Sequence, residues 1–115
     1  MITGISTVNI QVQDLRRAVE FYTSKLGMIL IANDPTIDHY EVAASGTKGP
    51  GICLCEDQKS VGEHTGIIFS TNDIQATYET LKKNGVKVTA PYQAHGQWWA
   101  GFQDLDGNSY GLHQK

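Results

Sequence analysis

The stretch VNIQVQDLRRAVEFYTSKLGM, residues 8–28, changes its hydrophobic period partway along. Val8, Ile10 and Val12 alternate with Asn9 and Gln11, the period of a strand with one apolar and one polar face. Asp14 then offers an N-cap for a helix running to about Lys25. Leu15, Ala18, Val19, Tyr22 and Leu26 recur at helical spacing, and Gly27 stands where a helix ends. GIIFSTNDIQATYETLKKNGV, residues 66–86, repeats the plan. A strand leads to Asp73 as cap, a helix carries Ile74, Tyr78 and Leu81, and Gly85 ends it. The interval from Asp14 to Gly27 is 13 residues and that from Asp73 to Gly85 is 12, so the unit recurs at a period of about 59. One copy is too small to bury a good core alone, whereas two copies can share one.

Working outward, each copy continues into further strands. MILIAN, HYEVAA and ICLCE follow the first helix, separated by the turn DPTID and the Gly-rich loop SGTKGPG. VKVTA, WWAGFQ and NSYGLH follow the second, with PYQAHGQWW, residues 91–99, read as a loop whose Tyr92 and His95 lean over a site or face solvent. SGTKGPG lacks the strand-to-helix setting and the Lys-Ser/Thr ending of a phosphate loop, so it reads as a flexible connection. In DLDGNSYGLHQ, residues 104–114, Asp104, Asp106 and Gly107 make the turn that closes the second copy.

Bulk properties narrow the function classes. The chain has 115 residues, enough for one domain spanning 1–115, with modules of about 1–58 and 59–115. Its net charge is −3 and its pI about 5.7. With Lys and Arg paired only at Arg16-Arg17 and Lys82-Lys83, this argues against a nucleic-acid or anionic-membrane surface. The N-terminus lacks the basic and apolar regions of a signal peptide, and no run reaches the ~18 apolar residues of a membrane span. Cys53 and Cys55 form a lone C-x-C. Side chains two apart on a strand do not easily bridge, and no second pair completes a zinc site. Two free thiols in a reducing cytoplasm is the expectation.

Residues 8–28, residues 66–86 and GFQDLDGNSYGL, residues 101–112, together resemble the vicinal oxygen chelate superfamily of glyoxalase I, extradiol dioxygenases and the bleomycin and fosfomycin resistance proteins. The resemblance implies an α+β fold. Two βαβββ modules form a curled mixed sheet around an open cleft, with helices on the convex face. It also implies a homodimer and, in the enzymes, a divalent metal such as zinc, nickel or iron held by His, Glu or Gln. The four metal positions carry over to Thr7, a residue near Cys53, Gly66 and Gly111. Thr and Gly side chains do not build such a centre. A shifted site would have to use His64, His113 and Glu41 or His39.

Alternation gives the candidate lining: Thr7, Asn9 and Gln11; Gly66, Ile68 and Ser70; Trp99, Gly101 and Gln103; Ser109, Gly111 and His113. Ala100 and Phe102 face the helices, and Trp98 points opposite to Trp99. An indole among neutral polar groups, with glycines leaving room, suits a planar, polar-aromatic ligand. The expectation is therefore a metal-independent small-molecule binder of the bleomycin-resistance kind, without a cofactor. Its ligand-binding candidates are Thr7, Asn9, Gln11, Ile68, Trp99, Gln103, Ser109 and His113. The alternatives are a glyoxalase I-like lyase or isomerase with relocated ligands and an interaction module whose cleft is filled by its own side chains. His113 and Glu41 are the general acid–base candidates, and no G-x-S-x-G nucleophile elbow is present.

Overall fold

The computed structural model describes residues 1–36, 39–44, 49–57 and 61–115. It divides into two compact units, Met1–Val61 and Gly62–Lys115. In the first, β1 (Thr7–Val12) leads into α1 (Leu15–Glu20), whose last turn widens to π geometry over Phe21–Lys25. Strands β2 (Ile29–Asp34), β3 (His39–Ala43) and β4 (Gly51–Glu56) follow. The sheet order is β1-β4-β3-β2, with β1 parallel to β4 and the other pairs antiparallel. The second unit repeats this: β5 (His64–Ser70), α2 (Ile74–Lys83), β6 (Lys87–Val88), β7 (Tyr92–Ala94), β8 (Gln97–Gln103) and β9 (Ser109–Gln114). Its order is β5-β9-β8-β6, with β5 parallel to β9. The α+β class and the repeated plan are as expected, with the strands forming two mixed sheets of four and five. The loop reading of SGTKGPG falls mainly on residues 45–48, and the end of DPTID on 37–38. Both lie outside the described residues.

Local chemistry explains why the two helices start and stop alike. Asp14 Oδ1 accepts from Arg17 N at 3.1 Å, and Asp73 Oδ1 from Ala76 N at 3.0 Å. Each satisfies an amide that the first turn leaves without an intrahelical partner. At the other ends Gly27 and Gly85 adopt φ of 70° and 80°, which glycine reaches without strain. Val86 N donates to Leu81 O at 2.9 Å and Gly85 N to Lys82 O at 3.1 Å, the paired bonds of a Schellman ending. In the first unit Leu26 N reaches back five residues to Phe21 O and Met28 N six to Tyr22 O. The π turn thus absorbs the one residue by which the first Asp-to-Gly interval exceeds the second. Asp14→Ala and Asp73→Ala should each lower stability by about 1 kcal/mol, read as a shift in urea midpoint at unchanged slope.

The first unit buries Ile10, Val12, Leu15, Ala18, Phe21, Tyr22, Val42, Ile52 and Leu54. The second buries Ile74, Ala100 and Leu112 in one cluster against Phe69. Beside them the rings of Phe69, Phe102 and Tyr110 pack together with centroids 5.3–5.9 Å apart. Ala100 and Phe102 are buried, whereas Trp98, on the same face of β8 but near its start, is 37% exposed.

Two segments differ from expectation. PYQAHGQWW is a hairpin, because β7 pairs antiparallel with β8 around His95–Gly96. His95 (φ 54°) and Gly96 (φ 72°) are both left-handed, as a two-residue turn matched to strand twist demands. The strand expected over VKVTA keeps its ladder only at Lys87–Val88. Thr89 continues the contact differently, its N donating to Gly101 O at 2.8 Å while its Oγ1 accepts from Gly101 N at 2.9 Å.

Candidate functional site

The face of the second sheet opposite Ala100, Phe102 and Leu112 is concave, enclosing about 690 Å³. Ladder register arranges its side chains in three cross-strand rows. At one end Tyr92 pairs with Trp99 and Trp99 with His113. The Trp99 and His113 rings lie 4.3 Å apart at 34°. Indole Nε1 donates to Ala94 O at 3.0 Å, and His113 Nε2 meets Gln97 Oε1, so both rings are held in place. The middle row is Gly101, Gly111 and Ile68. The far row is Lys87, Gln103, Ser109 and His64, with His64 Nδ1 3.0 Å from Ser109 Oγ. The floor therefore runs from aromatic through apolar to hydrogen-bonding.

Of the expected lining, Ile68, Trp99, Gln103 and Ser109 meet in this concavity, and His113 flanks it beside Trp99. Tyr92, Thr89 and Lys87 also line it. Sequence reading left Tyr92 undecided between site and solvent and omitted Thr89 and Lys87, because β7 and the shortened β6 obscured their register. The room expected at Gly111 is already taken. A Cβ there would stand 3.0 Å from Ile68 Cγ1, so the glycine lets Ile68 lie across β9. Gly66, at φ 72°, sits where β5 bulges between His64 and Ile68.

Thr7, Asn9 and Gln11 share one face of the first sheet, opposite Gly51, Cys53 and Cys55 on β4. Thr7 Oγ1 donates to Gly51 O at 3.1 Å. Glu41 pairs with Cys53 on the same face, and His39 Nε2 lies 3.1 Å from Glu41 Oε1.

The side chains present do not fit the family's divalent metal: Thr7 is hydrogen-bonded to backbone, and Gly66 and Gly111 offer no donor. The shifted alternative also fails within the second unit. His64 pairs with Ser109 and His113 lies four residues further along β9, about 13 Å away at ordinary strand rise. Among the described residues no three His, Cys, Asp or Glu side chains form a group able to hold a metal ion.

Both cysteines are free thiols. Burial, and next to it the neighbouring Cys55, push the Cys53 thiol up to about 11. The thiolate is the nucleophile, so Cys53 is almost unreactive near neutral pH. Iodoacetamide should label Cys55 first. The rate at Cys53 should climb about tenfold per pH unit on the alkaline side, as peptide mass spectrometry would follow.

No helix among the described residues is long and apolar enough to cross a membrane. Residues 4–110 match the family described as Glyoxalase/Bleomycin resistance protein/Dioxygenase superfamily. The chain is 32% identical to the uncharacterized protein YetH of Bacillus subtilis (strain 168), over 96% of this chain and 97% of that one. It is 25% identical to the metallothiol transferase FosB of Staphylococcus haemolyticus (strain JCSC1435), over 98% and 84%. Its structure superposes with a TM-score of 0.89 on TnmS3, an antibiotic binding protein from Streptomyces sp. CB03234, at 28% identity over 98% of this chain and 96% of that one.

Proposed function

Since the chain belongs to the glyoxalase/bleomycin resistance protein/dioxygenase superfamily, we propose that it is a small-molecule-binding protein that holds a planar, polar-aromatic compound without a metal. The graded floor of the second-unit concavity carries the reading. A flat ring system can lie over the backbone of Gly101 and against the Ile68 side chain that covers Gly111, its aromatic end against Trp99 and Tyr92. Its polar substituents then reach Gln103, Ser109 and His64. Three rows two residues apart span about 13 Å, the length of two or three fused rings. A concavity of about 690 Å³ falls within the ordinary size of small-molecule pockets. Gln103 and Ser109 supply neutral donors and acceptors, which fix orientation without the desolvation penalty of a buried charge. The similarity to an antibiotic binding protein supports the same class of ligand. The missing metal donors at Thr7, Gly66 and Gly111 support binding over metal-dependent turnover. Within this reading the chain is a single domain that works as a cytoplasmic homodimer, which sedimentation of the purified protein tests.

The deciding experiment titrates intrinsic tryptophan fluorescence with a panel of planar aromatic compounds, alongside elemental analysis of the protein. Saturable quenching at one ligand per chain, unaffected by chelator, is expected. A tightly bound nickel, zinc or iron ion whose removal abolishes binding would sink the reading. So would hemithioacetal isomerisation that depends on added metal.

A further inference from the structure

The polar face of the first sheet holds a second group of chemistry-bearing side chains. HYE on β3 runs antiparallel to CLC on β4, with Glu41 opposite Cys53. The Cys53 and Cys55 sulfurs are 3.9 Å apart, and His39 Nδ1 is 3.8 Å from Cys53 Sγ. His39 Nε2 sits 3.1 Å from Glu41 Oε1. A proton shared with that carboxylate belongs on Nε2, which leaves the Nδ1 lone pair facing the sulfur. Glu41 is accommodated by Gly51, where an added Cβ would stand 2.9 Å from Glu41 Oε2.

From this geometry we infer that Cys53 and Cys55 form a two-sulfur chelate for a soft d10 cation of the Cu⁺ class, with His39 beside it. A trigonal or tetrahedral ion with metal–sulfur bonds of about 2.3 Å holds two sulfurs roughly 3.8–4.0 Å apart. The observed 3.9 Å therefore needs almost no rearrangement. A disulfide would have to draw the same atoms to about 2.05 Å between two residues of one strand. Soft sulfur donors select Cu⁺ over the oxygen-seeking ions. His39 does not complete a ready three-ligand group with the two sulfurs, so the thiols provide the fixed grip and the imidazole must turn to reach the ion. Binding is not a redox step. Each thiol releases its proton to solvent as its sulfur bonds the ion. The inference concerns the first unit alone and is independent of the ligand reading for the second.

The test titrates the reduced full chain anaerobically with Cd²⁺, a d10 probe whose thiolate bonds absorb in the ultraviolet, and then with Cu⁺ against a chromogenic chelator. One Cd²⁺ per chain should give the sulfur-to-metal absorption. Cys53→Ser and Cys55→Ser should each weaken Cd²⁺ binding at least 100-fold, and His39→Ala by a smaller factor. Cys53 is buried, so Cys55→Ser, at the half-buried thiol, is the decisive variant, with its circular dichroism spectrum as folding control. Absorption that survives in a folded Cys55→Ser protein overturns the inference. So does its absence from the parent, half an ion per chain, or failure of Cu⁺ to compete with the chelator. Loss of the ion site with ligand binding intact keeps the two readings separate.

Discussion

Asn108→Ala should lower stability by about 2–3 kcal/mol and the thermal midpoint by roughly 10 °C. Asn108 is 1% exposed and sits at the end of the turn between β8 and β9. Its Oδ1 accepts from Gly62 N at 3.2 Å and Glu63 N at 3.0 Å, while its Nδ2 donates to Asp104 Oδ2 at 2.8 Å. Asp104, itself buried, uses Oδ1 to accept from the backbone of Asp106 and Asn108, both at 2.9 Å. The turn thus does two things. It folds back on itself through Asp104, and through Asn108 it grips the chain just before β5. Parallel strands have no tight turn to hold them together, so the β5–β9 register depends on such side-chain links. Truncation to Ala removes all three bonds and takes a partner from a buried carboxylate, the costlier kind of loss. Asn108→Asp, close in shape but charged opposite Asp104, should fare no better. Urea denaturation of the three proteins checks this. A midpoint within the error of the parent for Asn108→Ala would show that the clamp is dispensable.

That turn also marks how far sequence could reach. Its Asp-x-Asp-Gly pattern is local, and the reading that it is architectural is consistent with every bond it makes. The helix caps at Asp14 and Asp73 and the stops at Gly27 and Gly85 were legible for the same reason, since the interacting atoms lie within a few residues. Even the π turn left a trace as one extra residue between Asp14 and Gly27. The row of Ser109, Gly111 and His113 followed from strand alternation alone. What escaped depends on pairing between distant segments. Tyr92 joins Trp99 only because β7 pairs with β8, and the weak signal was a His-Gly turn in place of the usual Asn-Gly. Ile68 fills the gap over Gly111 through a cross-strand contact that no single-strand pattern encodes. The approach of His39 to Cys53 arises likewise, because antiparallel register sets HYE against CLC.

The second large effect is expected at Trp99. Trp99→Ala should weaken binding of a planar aromatic ligand roughly 10- to 100-fold, about 1.5–3 kcal/mol. The indole is the widest ring on the concave face and is fixed before any ligand arrives. Its Nε1–H is committed to Ala94 O and its face is backed by the His113 ring. A side chain already immobilised loses little entropy on binding, so more of its contact energy appears as affinity. Removing it deletes the stacking surface and also leaves Ala94 O and the His113 ring without their neighbour. Trp99→Phe keeps a ring but not the anchoring N–H, and should fall between parent and Ala. Trp98→Ala is the control, because alternation turns Trp98, 37% exposed, away from this face. Calorimetry is the suitable measurement, since the substitution removes the fluorescent reporter itself. Equal affinities for Trp99→Ala and the parent, or a loss confined to Trp98→Ala, would move the ligand off the second-unit concavity.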